Sequence, residues 1–264
     1  MVAESEGARR RRRHLRTLFD GVADLYDASR RGYPPEIVDH MVATAGLRPG
    51  DPVLEVGCGT GQLTEQLVGH GLAVTAIDIG PAMVAAARRR LPRSAVRFAV
   101  VPFEAFEAVD GSFALVVSAT AFHWVDPDVR FVTAARLLRP RGWLALLATG
   151  ERYDDPFGAA LRQMWADRSH DRGEWARRRQ VSDTEIVAGT GLFGAPVARA
   201  HADRTTLPAD VVIGVESTRA TSLSWSDDAR RAFTAEMRRH LRATPAVALT
   251  QETSLTMAQV LPPP

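Results

Sequence analysis

Asp78 lies 21 residues after Gly57, and this pairing of an acid with a glycine-rich turn is where the chain most clearly offers chemistry. A carboxylate at the tip of a strand can accept both hydroxyl hydrogens of a ribose. The turn reads Gly57-Cys58-Gly59-Thr60-Gly61, and its alternate glycines let a ligand approach the backbone with no Cβ in the way. Two residues ahead stands Glu55, an acid inside an apolar run, which needs a partner to be tolerated there. Downstream, Phe122-His123-Trp124 offers an imidazole that titrates near neutrality and could take a proton from a hydroxyl or a polarised carbon acid. The same imidazole could instead only bond its loop and shape a pocket.

The elements that must position these groups follow from patterning. Val53–Val56 is apolar and partly β-branched, the mark of a strand covered on both faces in a parallel sheet. After the glycines, residues 62–68 read as a helix whose free N–H groups and positive dipole end favour a negatively charged ligand group. Strand, turn and helix make a nucleotide-type site. Further strands are predicted at 72–78, 96–101, 113–119 and 143–149. Helices are predicted from Pro34-Pro35 to Ala45, from Pro81 to about Arg90, and from Pro127, capped by Asp126, to Leu138, with residues 139–142 as a stop. This alternation implies right-handed crossovers and an α/β, Rossmann-like doubly wound sheet.

The flanks differ. Arg9–Arg13 reads as a solvated, partly disordered arm, ahead of a helical apolar stripe over 14–28. Residues 156–190 look helical and rich in Trp and Arg, and sixth and seventh strands are predicted at 195–207 and 247–260, separated by helices around 209–221 and 226–243. The layout expected is one continuous domain: an N-terminal helical lid (1–46), a ligand-binding core (47–150), and covering helices with the last two strands (151–264).

With 33 basic and 31 acidic side chains the net charge is +2, so no global field recruits nucleic acid. All the non-histidine basic residues are arginines, a composition of GC-rich coding sequence rather than a sign of function. Cys58 is the single cysteine, which excludes an internal disulfide framework or a cysteine-based zinc site. No metal is expected, since His170-Asp171 and Asp154-Asp155 lack ligand spacing. Without a long apolar run or a secretory signature, the chain is expected to be cytoplasmic and not membrane-bound. Its oligomeric state cannot be read.

Leu54 to Gly61, Asp78-Ile79-Gly80-Pro81-Ala82-Met83 and Phe122-His123-Trp124 resemble the class I S-adenosylmethionine-dependent methyltransferases, and most the small-molecule branch called methyltransferase type 11. The resemblance implies a seven-stranded sheet of order 3-2-1-4-5-7-6 with the last strand antiparallel. It implies S-adenosylmethionine as cofactor and a small-molecule acceptor. Asp78 would hold the ribose, and Gly57, Cys58 and Gly59 would pass along the amino-acid tail. Glu55 would meet the tail's ammonium group directly or through water, with the Ala119 carbonyl as a further acceptor. Ile79 and Met83 would flank the adenine, Phe103 or Glu104 would meet its edge, and Tyr26 and Arg31 would fold over the donor. Tyr33, Phe122, His123, Trp124, Trp165 and Trp225 would line the acceptor side, with Trp175 in the same variable region and His123 as the candidate base.

Methyl transfer from a sulfonium is already activated by the positive charge of the leaving group, so alignment and desolvation can suffice without a base. A tailoring step in natural-product biosynthesis is the expected setting. Two alternatives stay open: a non-methylating member that uses the bound donor in a cyclisation or rearrangement, and a nicotinamide oxidoreductase. No Gly-x-Ser-x-Gly elbow points to a hydrolase. Ala121-Phe122-His123-Trp124 also departs from the Asn/Asp-Pro-Pro-Tyr/Phe signature of enzymes that methylate nucleic-acid bases.

Overall fold

The computed structural model describes residues 5–92, 96–154, 156–168 and 182–262. Its centre is a seven-stranded sheet of order β3-β2-β1-β4-β5-β7-β6, the order expected. The strands are β1 (Pro52–Val56), β2 (Ala73–Asp78), β3 (Arg97–Val100), β4 (Phe113–Ala119), β5 (Leu138–Tyr153), β6 (Val197–Pro208) and β7 (Ala246–Gln259). The first five pair in parallel, whereas β7 runs antiparallel to both β5 and β6.

Alternation along β1 explains how the core divides. Val53 faces one apolar cluster with Ile37 and Met41 of α3 (Pro35–Thr44) and Leu63 and Leu67 of α4 (Gln62–Gly69). Leu54 and Val56 face the other, with Phe131, Ala134 and Leu137 of a later helix (Arg130–Leu137). A pleat of period two therefore turns Glu55 toward the α4 side.

Strand β5 is longer than predicted. It absorbs the expected stop at 139–142, where Arg141 takes a left-handed φ of 64° and the register with β4 shifts. At its other end β4 stops pairing at Ala119↔Leu147, while β5 continues to Tyr153 opposite Leu249. Residues 148–153 thus overhang the parallel sheet by roughly 20 Å at ~3.3 Å per residue. A third apolar cluster fills the space beneath this overhang. Tyr153, Leu249 and Leu207 meet Phe157 and Met164 of a helix spanning Phe157–Arg168, Val212 of one spanning Ala209–Ser217, and Phe233 and Met237 of one spanning Asp227–His240.

The N-terminal arginines form a helix rather than an arm, with Arg10, Arg11 and Arg13 exposed as expected and Arg9 and Arg12 turned toward the protein. They lie on α1 (Glu6–Leu15), capped by Ser5 and with Arg12, Arg13 and His14 at its favourable last turn. Arg12 is buried and donates to the Trp124 carbonyl at 3.2 Å, while Arg9 pairs with Asp128 at 2.6 Å. The predicted 14–28 stripe is divided between the end of α1, a short turn at Asp20–Val22, and α2 (Ala23–Ser29). The helix predicted from Pro127 begins at Arg130, because the Asp126 carboxylate accepts the Asp128 N–H in a local turn. Trp175, His170 and Asp171 lie outside the described residues. No helix among the described residues is long and apolar enough to cross a membrane.

Candidate functional site

The loops at the carboxyl ends of β1, β2 and β4 surround two adjoining cavities. They hold about 700 and 2240 Å³ of empty space, including the part open to solvent. Phe19, Tyr26, Thr120 and Trp124 line both, so any passage between the cavities runs past these four side chains.

In the smaller cavity Asp78 is fixed by the glycine turn. Its Oδ2 accepts the Gly59 N–H at 2.9 Å and its Oδ1 accepts the Gly80 N–H at 2.8 Å. Burial raises its pKa, and these N–H bonds pull it back. Each carboxylate oxygen keeps a lone pair, so the clasped acid can still accept two hydroxyl groups. Gly57 has φ +73°, and a Cβ there would lie 2.3 Å from the Ala121 Cβ. The turn must therefore be bare for strand β4 to deliver its loop against it. Ile79, Met83 and Phe103 line an apolar slot beside Asp78. Glu104 shares this wall, with Oε1 accepting from Arg16 at 2.7 Å and from the Asp126 N–H at 3.1 Å. Burial alone would raise its pKa, but Arg16 and the backbone donors outweigh burial and lower it. An acid pair of hydroxyl acceptors, an apolar slot and a bare turn fit a nucleoside with an amino-acid tail.

The sequence-selected residues separate into three places. Tyr26, Gly57, Gly59, Asp78, Ile79, Met83, Phe103, Glu104, Ala119 and Trp124 all line the smaller cavity. Arg31, Tyr33, His123, Trp165 and Trp225 line the larger one, which Tyr26 and Trp124 also reach. Glu55, Cys58 and Phe122 line neither. Glu55 is 2% exposed and accepts the Thr64 hydroxyl at 2.6 Å. Burial lifts its pKa to about 8 against the pull of that bond, so the carboxyl holds its proton at neutral pH. Burial likewise pushes the Cys58 thiol far up, which keeps it unreactive. Phe122 packs between Phe103 and Phe131, with ring centroids 6.2 and 5.3 Å away.

Arg31, expected over the donor, instead donates to Gln251 at 3.0 Å beside Asp203. Its neighbour Arg30 is the one that stacks on Tyr26, 5.2 Å from the ring centre. His123 has an exposed edge along the larger cavity, yet the protein around it and the Arg130 guanidinium lower its pKa to about 4. Both causes disfavour the charged ring, and the imidazole is neutral at physiological pH.

Sequence reasoning missed Thr120, which carries no motif. This β-branched residue has φ +54°, a conformation such side chains rarely adopt, held by its N–H bond to the Leu147 carbonyl at 2.8 Å. Its hydroxyl is 3.5 Å from the Tyr33 hydroxyl at the passage. Burial raises the pKa of both Tyr26 and Tyr33, leaving each phenol neutral.

Residues 54–146 match the family described as methyltransferase domain. Over this stretch the chain is similar to methyltransferase domains, in keeping with the resemblance of its motifs to the class I, S-adenosylmethionine-dependent methyltransferases. Over 136 residues it is 38% identical to an uncharacterised methyltransferase of Mycobacterium tuberculosis, covering 52% of this chain and 54% of that one. Over 140 residues it is 40% identical to a malonyl-[acyl-carrier protein] O-methyltransferase of a Paenibacillus species, covering 49% and 51%. The chain thus spans about half the length of these curated relatives. A solved structure from Anaeromyxobacter dehalogenans, described as a type II methyltransferase, shares the fold with a TM-score of 0.67. Its sequence is 23% identical, and the likeness covers 89% of this chain and 99% of that one. The matched stretch contains the glycine turn, Asp78, Glu104 and the loop after β4. The larger cavity draws most of its wall from residues on either side of it.

Proposed function

We propose that this protein transfers the methyl group of S-adenosylmethionine to a small-molecule acceptor, by in-line displacement across the passage at Tyr26, Thr120 and Trp124. The observation that carries the reading is the Asp78 carboxylate. It is clasped by the N–H groups of Gly59 and Gly80 in the wall of a cavity that shares four lining residues with a second, larger one. When bound, S-adenosylmethionine supplies a methyl group made electrophilic by its sulfonium charge.

The chain's own residues would then bind, orient and desolvate the reactants. Asp78 accepts the ribose hydroxyls, and Ile79, Met83 and Phe103 enclose the adenine. The bare turn at Gly57 and Gly59 receives the amino-acid tail beside the Ala119 carbonyl. Glu55 lies behind that turn with its carboxyl protonated, so it meets an ammonium group there through water, as a neutral hydrogen-bonding group. Phe19, Tyr26 and Trp124 shed water from the passage, which strengthens each electrostatic contact within it. His123 faces the acceptor as a neutral imidazole. Its depressed pKa makes it a weak base and a better hydrogen-bonding or shaping group, in keeping with a reaction driven by alignment.

Calorimetry with S-adenosylmethionine tests the reading. Asp78→Asn should weaken binding by about tenfold to a hundredfold, as expected for hydrogen bonds to a charged acceptor. Retention of parental affinity by that variant would overturn the assignment. Release of one S-adenosylhomocysteine per acceptor consumed would then establish transfer.

A further inference from the structure

The wall of the larger cavity is unevenly charged. Among the described residues, Arg11, Arg30, Arg31, Arg168 and Arg219 line it, against the one carboxylate of Glu151. The acids that anchor several of these arginines, Glu216, Glu236 and Asp203, do not line it. Arg31 and Arg168 thus reach the cavity while Asp203 and Glu236 stay behind its wall, whereas Arg219 is paired both to Glu216 behind the wall and to Glu151 within it.

Glu216 organises the arrangement. Its side chain is 1% exposed and accepts from Arg219 through Nε at 2.9 Å and Nη2 at 2.8 Å, from the Tyr153 hydroxyl at 3.0 Å, and from Trp165 Nε1 at 3.1 Å. One buried carboxylate therefore fixes a guanidinium and an indole in the same wall. Arg30 is held through Nε by Thr218 and through Nη2 by the Val215 carbonyl. Glu151 sits between the two guanidiniums, 2.8 Å from Arg219 and 3.8 Å from Arg30 Nη1. Nη1 of Arg30 and Nη1 of Arg219 make no hydrogen bond among the described residues. Beside them Trp165 and Trp225 stand with ring centres 4.9 Å apart.

We propose that the acceptor is an organic oxyanion, a carboxylate or phosphate ester on a flat apolar body, with its charged end on Arg30 and Arg219 and its body against Trp165 and Trp225. The planar guanidinium fork suits such an anion, and the indole faces suit a ring. Arg30 also stacks on Tyr26, which places the anchor beside the passage. The proposal rests on the methyltransferase reading for calling this ligand an acceptor, but the site itself can be tested separately. Glu216 is a positioning residue, acting through Arg219 and Trp165.

The test is calorimetric titration of the full chain with 1-naphthoate, 1-naphthyl phosphate, 1-naphthamide and 1-naphthylmethylamine, with and without saturating S-adenosylhomocysteine. One or both anions should bind at least about tenfold more tightly than the amide, with the amine weakest. The two anionic probes tell carboxylate from phosphate. Because Arg219→Gln alone leaves a buried acid unpaired, the informative variant is the double substitution Glu216→Gln with Arg219→Gln. It should erase the preference, while Arg219→Lys retains part of it. Affinity for S-adenosylhomocysteine should be unchanged in both variants, which separates this site from the donor site. Equal or tighter binding of the amide or the amine, or binding of none of the four probes, would overturn the proposal. Failure to bind S-adenosylhomocysteine would count against the donor reading only.

Discussion

Glu55 shows how a single residue can carry chemistry that its surroundings suppress. Its pKa of about 8 means the folded chain holds a proton that the unfolded chain gives up near pH 4.5. Between those values the folded state binds more protons, so stability falls as pH rises through that window. Comparing urea midpoints at acid and alkaline pH, the parent should lose about 1–4 kcal/mol more than Glu55→Gln. Parallel pH profiles for the two proteins would show that Glu55 does not hold this proton. The acid was legible in the sequence because a carboxyl in a buried strand is chemically conspicuous, and so was Asp78 because its spacing from the turn is local. The β1 pleat, which turns Glu55 toward Thr64 and away from both cavities, required the register of a folded sheet. Thr120 left no trace at all in the sequence, since a backbone angle imposed by neighbours cannot be read from an ordinary side chain.

At the scale of elements, α1 corrects the sequence reading most instructively. A run of arginines is as polar as a tail, and its acidic partners, Glu104, Asp126 and Asp128, lie about ninety to one hundred and twenty residues away. The Arg16–Glu104 pair closes the α1 segment over the smaller cavity, with side-chain exposures of 15% and 23%. Partly exposed pairs contribute roughly 0.2–1 kcal/mol. Arg16→Ala should therefore barely move thermal stability, yet speed S-adenosylhomocysteine release by about two- to fivefold, a ratio equivalent to that energy. Stopped-flow tryptophan fluorescence would read the rate, and an unchanged rate would remove α1 from gating. Asp20 gives this cover a second hold, accepting the N–H groups of Ala82 and Met83 at the start of the helix Pro81–Arg90. The parallel core was legible from alternation, and the strand order only through the family resemblance; the long β5 was not, because its Pro-Arg-Gly interruption imitates a stop.

For the whole molecule, two apolar clusters sandwich the parallel sheet and a third fills the space beneath the overhang. Local opening should follow that division. Hydrogen exchange is expected to be slowest in β1 and β4, and faster in the helices Phe157–Arg168 and Asp227–His240. S-adenosylhomocysteine should slow exchange in residues 15–33 and around the glycine turn, more than in those two helices. Uniform protection across the chain would contradict the division.

The overhang of β5 has a consequence for how such a protein can diverge. Thr149, Glu151, Leu207 and Gln251 reach the larger cavity from this ribbon, and none of them touches the smaller one. Random replacement confined to those four positions should give a library whose members differ in what they recognise while their grip on the nucleoside is inherited unchanged. Selection can therefore explore new chemistry at one end of the sheet without renegotiating the other.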